Sequence, residues 1–219
     1  MSTRAAAPSR SSPRPAPRPR RRSAARRRRV LRRRLGFLLV VAVAAIVVMA
    51  VTSPWVDRAV REIALPLAHA DVIREQAADK DLDPALIAGV IYAESRFRDQ
   101  TSHAGAKGLM QIMPTTADYI ARKSGGIAFE QGDLATPRIN IAYGSWYLRH
   151  LLDKYDGREV PALAAYNAGQ GNVDKWLAAA PGERLRPTDI PFAETRHYVA
   201  KVLDARDDYR REYASELGL

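Results

Sequence analysis

The sequence predicts an all-α protein, on three observations. Past about position 69 the apolar residues recur at helical spacing almost throughout. Proline at the start of a turn marks several helix openings, at Asp83-Pro84, Pro114-Thr115-Thr116 and Thr136-Pro137. No alternating run of useful length suggests a strand, apart from a weak short turn around Gly125–Glu130.

Charge divides the chain before any element is drawn. Of its 219 residues, the first 34 hold fourteen arginines and no Asp, Glu, Lys or His. The rest carries 21 basic and 24 acidic groups, so the formal +11 describes a tail and the body is slightly acidic. A specific nucleic-acid-binding domain carries its basic surface on the fold, and that class is disfavoured. The absence of cysteine excludes disulfides, thiol catalysis, Cys-ligated metal and a lipoprotein cysteine. His69, His103, His150 and His197 show no metal spacing, so neither metal nor other cofactor is expected.

The N-terminal elements follow in order. Residues 1–34 have almost nothing apolar to bury and repel themselves, which predicts a disordered tail. Leu35–Val51 is an uncharged apolar run whose helix spans roughly 25 Å, at the short end of a bilayer core. Thr52 and Ser53 extend the span to residue 53, and Trp55 suits an interface. The arginines on one flank argue against a buried soluble helix. A cleaved signal peptide has a shorter apolar region and a small-residue site, and no convincing site follows Val51. Arg33-Arg34 resembles a twin-arginine signal only as any arginine-dense tail does. The positive-inside rule puts the tail in the cytoplasm, bound to anionic lipid, and residues beyond the span outside. Residues 54–68 form a short stem that continues as helix.

Residues 69–219 read as one domain. A helix opens at Asp83-Pro84 and runs through Ser95; another runs from Pro114 to about Lys123. Thr136-Pro137 opens what the pattern makes the longest, to about Tyr155. Val160–Tyr166, Asn172–Ala179 and Glu194–Tyr213 complete the set.

One carboxylate stands in an unusual place. Glu94 lies seven residues after Ile87, four after Val90 and three after Ile91, on the apolar stripe of its helix. Lost hydration there raises a carboxyl pKa, as a general acid near neutral pH requires. An ion pair with Arg96 or Arg98 is the alternative. Two glycine-punctuated loops follow, Gly105–Gln111 and Ala165–Gly171, in which backbone can approach a ligand closely. Tyr, Gln and Asn side chains there suit sugar rings, hydroxyls and acetamido groups, so the three elements together suggest a carbohydrate cleft.

These residues carry a resemblance. Glu94-Ser95-Arg96-Phe97, Ser102 with Gly108-Leu109-Met110-Gln111-Ile112-Met113-Pro114, Ala165-Tyr166-Asn167-Ala168-Gly169-Gln170-Gly171-Asn172-Val173 and Glu194-Thr195-Arg196-His197-Tyr198-Val199 resemble, in order, the four motifs of family 1 lytic transglycosylases, the SLT catalytic domain. Asn140-Ile141 leading to Gly144 and Tyr147-Leu148 resembles that family's central helix. The likeness covers roughly residues 70–209.

The resemblance implies a lysozyme-like fold that cleaves the β-1,4 bond between N-acetylmuramic acid and N-acetylglucosamine in peptidoglycan strands. Glu94 would be the one catalytic acid and then base, leaving a 1,6-anhydro ring, without a second carboxylate. Ser102 and Gln111 would position the acetamido group and Met110 would line the cleft. Tyr166 and Asn167 would hold the neighbouring sugar, with Glu194 and Tyr198 at the back. The expected protein is thus a membrane-anchored enzyme facing the cell wall. A muramidase using water on the same bond, or a wall-binding module serving a secretion or division complex, are the alternatives.

Overall fold

The computed structural model describes residues 22–51, 53–125, 129–180 and 184–219. They divide into two units that part between Asp57 and Arg58, and each is taken by itself.

In the first unit, helix α1 spans Arg22–Val51. Its side chains are exposed wherever they are described, including the apolar series from Leu35 to Met49. Arg22–Arg34, expected to be disordered, are helical. Arg and Ala are good helix formers, and the apolar helix that follows supplies the nucleus on which they propagate. Residues 1–21 of the expected tail and Thr52 lie outside the described residues. Among those described, no helix is long and apolar enough to cross a membrane. Helix α2, Pro54–Ala64, makes the first part of the expected stem helical, and residues 65–68 leave the helix.

The second unit is helical, with two isolated β-bridges, Thr101–Lys107 and Lys107–Ile112, in place of strands. Helix α3 covers Ala70–Lys80 and α4 covers Pro84–Ser95. The Asp83 carboxylate accepts from Ala85 N–H at 2.9 Å, the cap its sequence predicts. Helices α5 (Pro114–Ser124), α6 (Pro137–Lys154), α7 (Glu159–Ala168) and α8 (Gln170–Ala179) follow. Next come α9 (Ala193–Glu212) and the short α10 (Ala214–Leu217). Within this unit α9, not α6, is the longest helix. The turn expected around Gly125–Glu130 falls partly on residues 126–128, outside the described set.

The site is positioned by α4, which is buried along most of its length and packs against α9 and α3, with α7 also against α9. Gly89 lets the two long backbones approach: a Cβ there would stand 2.9 Å from the Val202 carbonyl and 3.1 Å from the Arg206 amide nitrogen. Any side chain would push α4 and α9 apart.

The stem is fastened to this body. Tyr92, Tyr209 and Tyr213 donate their hydroxyls to three consecutive stem carbonyls, Ala64 (3.2 Å), Pro66 (2.5 Å) and Leu65 (2.8 Å) respectively. Leu65 is buried beneath them, and Arg61 donates to the Glu212 carbonyl at 3.0 Å.

Candidate active site

The last turn of α4 delivers Glu94 to the meeting point of α4, α7 and α9. Its side chain is half-buried, and burial pushes the carboxyl from its usual 4.5 up to about 7. Two groups on α9 oppose the rise: the Tyr198 hydroxyl, and beyond it the charge of Lys201. The Tyr198 hydroxyl faces the carboxyl and is buried with no hydrogen bond of ordinary geometry among the described residues.

Among the described residues Glu94 forms no ion pair. Arg96, one candidate partner, turns away and donates to the Tyr92 hydroxyl at 3.0 Å, with its guanidinium 5.2 Å from that ring's centroid. Tyr166 from α7 and Tyr198 both have hydroxyl pKa values raised well above the ordinary, by burial first and then by Glu94 itself. The structure therefore brings together Glu94, Tyr166 and Tyr198.

A loop between α4 and α5 forms one wall, held by its own backbone bonds, among them the bridges of Lys107 to Thr101 and Ile112, and by side chains that bond its backbone. Gly108 turns through φ 74°, and a Cβ there would fall 2.2 Å from the Asn140 amide nitrogen. The Ser95 hydroxyl, buried beside Glu94, donates to the Leu109 carbonyl at 2.7 Å. Asn140, fully buried in α6, accepts from Met110 N–H at 2.8 Å and donates to Lys107 and Leu134 carbonyls at 2.9 and 3.0 Å. The Tyr166 hydroxyl donates to the Met110 carbonyl at 3.0 Å.

Several expected binding residues are thereby placed. Met110 does not line a cleft: its side chain is fully buried against Gly144, where a Cβ would lie 2.3 Å from the sulfur. Only its backbone serves the wall, because the bulk of Met fills the space that Gly144 leaves. The Ser102 hydroxyl accepts from Ala106 N–H at 3.0 Å within the loop. Gln111 donates its amide to the Gln100 and Gly108 carbonyls at 2.9 and 2.8 Å, so its Oε1 is the atom left to accept. Asn167 has the opposite polarity, since its Oδ1 accepts from the buried Thr195 hydroxyl at 2.7 Å and its NH2 is left to donate. Glu194 is exposed in the first turn of α9.

Sequence reasoning assigned no role to Ser95, Asn140, Thr195 or Lys201. An Asn between Ile139 and Ile141 on a long helix was a usable signal, since a buried amide must find partners. Lys201 left no signal, because a lysine on a charged helix reads as solvated.

One carboxyl raised toward neutrality and walled by two tyrosines and a backbone-capped loop marks an all-α protein with an acid–base site. The family model for the transglycosylase SLT domain matches residues 71–186. The chain belongs to that family. It is 35% identical over 157 residues to a soluble lytic murein transglycosylase of Salmonella typhimurium, covering 69% of this chain and 24% of the relative. It is 32% identical over 162 residues to a membrane-bound lytic murein transglycosylase C of Actinobacillus pleuropneumoniae, covering 63% and 44%. Among solved structures, an inactive Glu-to-Gln mutant of the lytic transglycosylase Slt from Pseudomonas aeruginosa matches with a TM-score of 0.65 at 34% identity, over 82% of this chain and 29% of that one. The 70-kDa soluble lytic transglycosylase of Escherichia coli matches with a TM-score of 0.65 at 33% identity, over 68% and 25%. The chain thus spans about a quarter of the soluble relatives.

Proposed function

We propose that this chain is a membrane-anchored lytic transglycosylase of peptidoglycan, with Glu94 as its acid and then its base. The observation that carries the reading is the Glu94 carboxyl, raised to about 7 and in no ion pair among the described residues. At neutral pH such a group is present in both forms, as two opposite proton transfers by one residue require.

The protonated carboxyl gives its proton to the glycosidic oxygen as the bond from muramoyl C1 breaks. The resulting carboxylate then takes the proton of the muramoyl C6 hydroxyl as that oxygen closes onto C1. No water is consumed. Glycosidases that hydrolyse commonly use two carboxylates about 5–9.5 Å apart. Among the described residues the groups that act on the Glu94 carboxyl are Tyr198 and Lys201, neither of them a carboxylate, as the one-carboxylate route expects. The substrate's acetamido group supplies the assistance at C1. Gln111 Oε1 is left to accept the N–H of an acetamido group, and the Asn167 NH2 group is left to donate to the neighbouring sugar.

The anchor is α1. Its apolar residues from Leu35 to Met49 are exposed, and lipid is the solvent that suits them. The arginines at Arg26–Arg29 and Arg32–Arg34 sit at the cytoplasmic face against anionic headgroups, and the domain faces the wall. A relative named membrane-bound supports this arrangement. The glycan strand is the substrate partner, and wall or secretion machinery a further one.

Mass spectrometry of fragments released from purified sacculi by the full chain in detergent tests the activity. Products ending in 1,6-anhydromuramic acid, lost with Glu94→Gln, are expected. Products heavier by one water establish a hydrolase instead. A folded parent that releases nothing leaves a binding or assembly role. One solved relative is a complex with bulgecin A, and competition by that compound is expected here.

A further inference from the structure

The Lys201 ammonium is held where a lysine rarely rests, beside a buried carboxyl but not bonded to it. It projects from α9 one turn beyond Tyr198, the residue that faces Glu94. Its Nζ donates to the carbonyl of Ala93, the residue preceding Glu94, at 2.8 Å. It also lies 5.6 Å from the centroid of the Tyr92 ring, a cation–π contact. Both anchors belong to α4, so the charge travels with the helix that carries the carboxyl. No ion pair within 4.0 Å joins Lys201 to Glu94 or to any other carboxylate among the described residues.

We propose that Lys201 is a positioning residue for the reaction of Glu94, a fixed cation that supports the carboxylate formed once the proton has left. The inference rests on the reading of Glu94 as the acid. A direct ion pair would hold the carboxyl permanently ionised and spoil it as an acid. No cation at all would leave the ion formed at mid-reaction in a half-buried site without support. The Ala93 carbonyl and Tyr92 ring keep the ammonium between those limits.

The groups facing Glu94 are consistent with this role. From α9 they are Tyr198 and Lys201, and from α7 Tyr166; around Lys201 itself, His197, Asp204 and Asp208 of α9 share the surface pocket it lines with Tyr92. On the carboxyl's own side Arg96 is committed to Tyr92, yet it still acts on Lys201. Burial and Arg96 favour the neutral amine of Lys201, whereas Glu94 favours the ammonium. Among the described residues Lys201 is the cation that acts on Glu94.

The test is Lys201→Met in the full chain in detergent, with Lys201→Arg beside it. The Glu94 carboxyl is titrated by carbon NMR of glutamate-labelled protein, its resonance identified by loss in Glu94→Gln. With Met the midpoint is expected to rise by about half a pH unit, below the effect of a direct opposite-charge contact. Arg is expected to hold it near the parent value. In turnover, Met is expected to lower kcat about threefold, the factor that half a pH unit represents, with KM unchanged, and to move the alkaline limb upward, with Arg restoring most of the rate. An unchanged midpoint and limb in a folded Met variant overturn the proposal. So does an equal loss in Met and Arg, which marks a helix-end brace. A shifted midpoint in a parent that releases no anhydro product leaves the coupling standing and removes the transglycosylase reading instead.

Discussion

The side chain of Asn140 holds the backbone of Met110: its Oδ1 accepts the Met110 N–H at 2.8 Å from within a fully buried helix. Its amide nitrogen is committed as well, to the Lys107 and Leu134 carbonyls. One side chain thus does for the loop what a neighbouring strand does in a sheet. Asn140→Ala is expected to cost about 3 kcal/mol, near one for each bond lost, read from urea denaturation. Asn140→Asp is expected to cost more, because it turns a carboxylate oxygen toward two carbonyls.

Gly108 and Gly105 are expected to respond differently to alanine. Both have positive φ, 74° and 85°. At Gly105 a Cβ meets nothing within 4 Å, so only the left-handed backbone is penalised, by about 1 kcal/mol. At Gly108 it falls 2.2 Å from the Asn140 amide and 2.7 Å from the Leu134 carbonyl. That variant is expected to lose about 3–5 kcal/mol and to detach the loop, checked by denaturation and by protease susceptibility near Lys107.

Activity is expected to fall as pH rises through about 7, because the first step needs the protonated Glu94. Initial rates across pH 5 to 9 read this limb directly. A limb that is absent, with the enzyme folded, removes Glu94 as the acid.

The same carboxyl makes a stability prediction. Its pKa is raised on folding, so its favourable contribution is complete below 4.5 and is lost as pH rises through about 7. Glu94→Gln is therefore expected to be more stable than the parent at pH 8, by about 1–3 kcal/mol, with the advantage shrinking toward pH 5. Thermal melts of both proteins across that range measure it.

The stem belongs to the folded body. Residues 58–219 are expected to melt above residues 67–219, which lack the carbonyls of Ala64, Leu65 and Pro66 that three tyrosine hydroxyls occupy. The lost bonds and the buried Leu65 are worth about 2–4 kcal/mol. Equal melting temperatures would make the stem a passive tether.

By itself the sequence determined the elements whose cause is local. Helix starts at Pro84, Pro114 and Pro137 follow from a residue that fixes its own φ, and the all-α body follows from apolar spacing along single helices. Glu94 was legible for the same reason, as a carboxyl on an apolar stripe. Tertiary structure alone decided what depends on the partner across a gap. Met110 turned inward because Gly144 leaves room for it. Gln111 and Asn167 kept opposite halves of their amides free because Gly108 and Thr195 took the others. Lys201 stands beside Glu94 because α9 crosses α4 at Gly89, and no pattern along either helix encodes the register of that crossing.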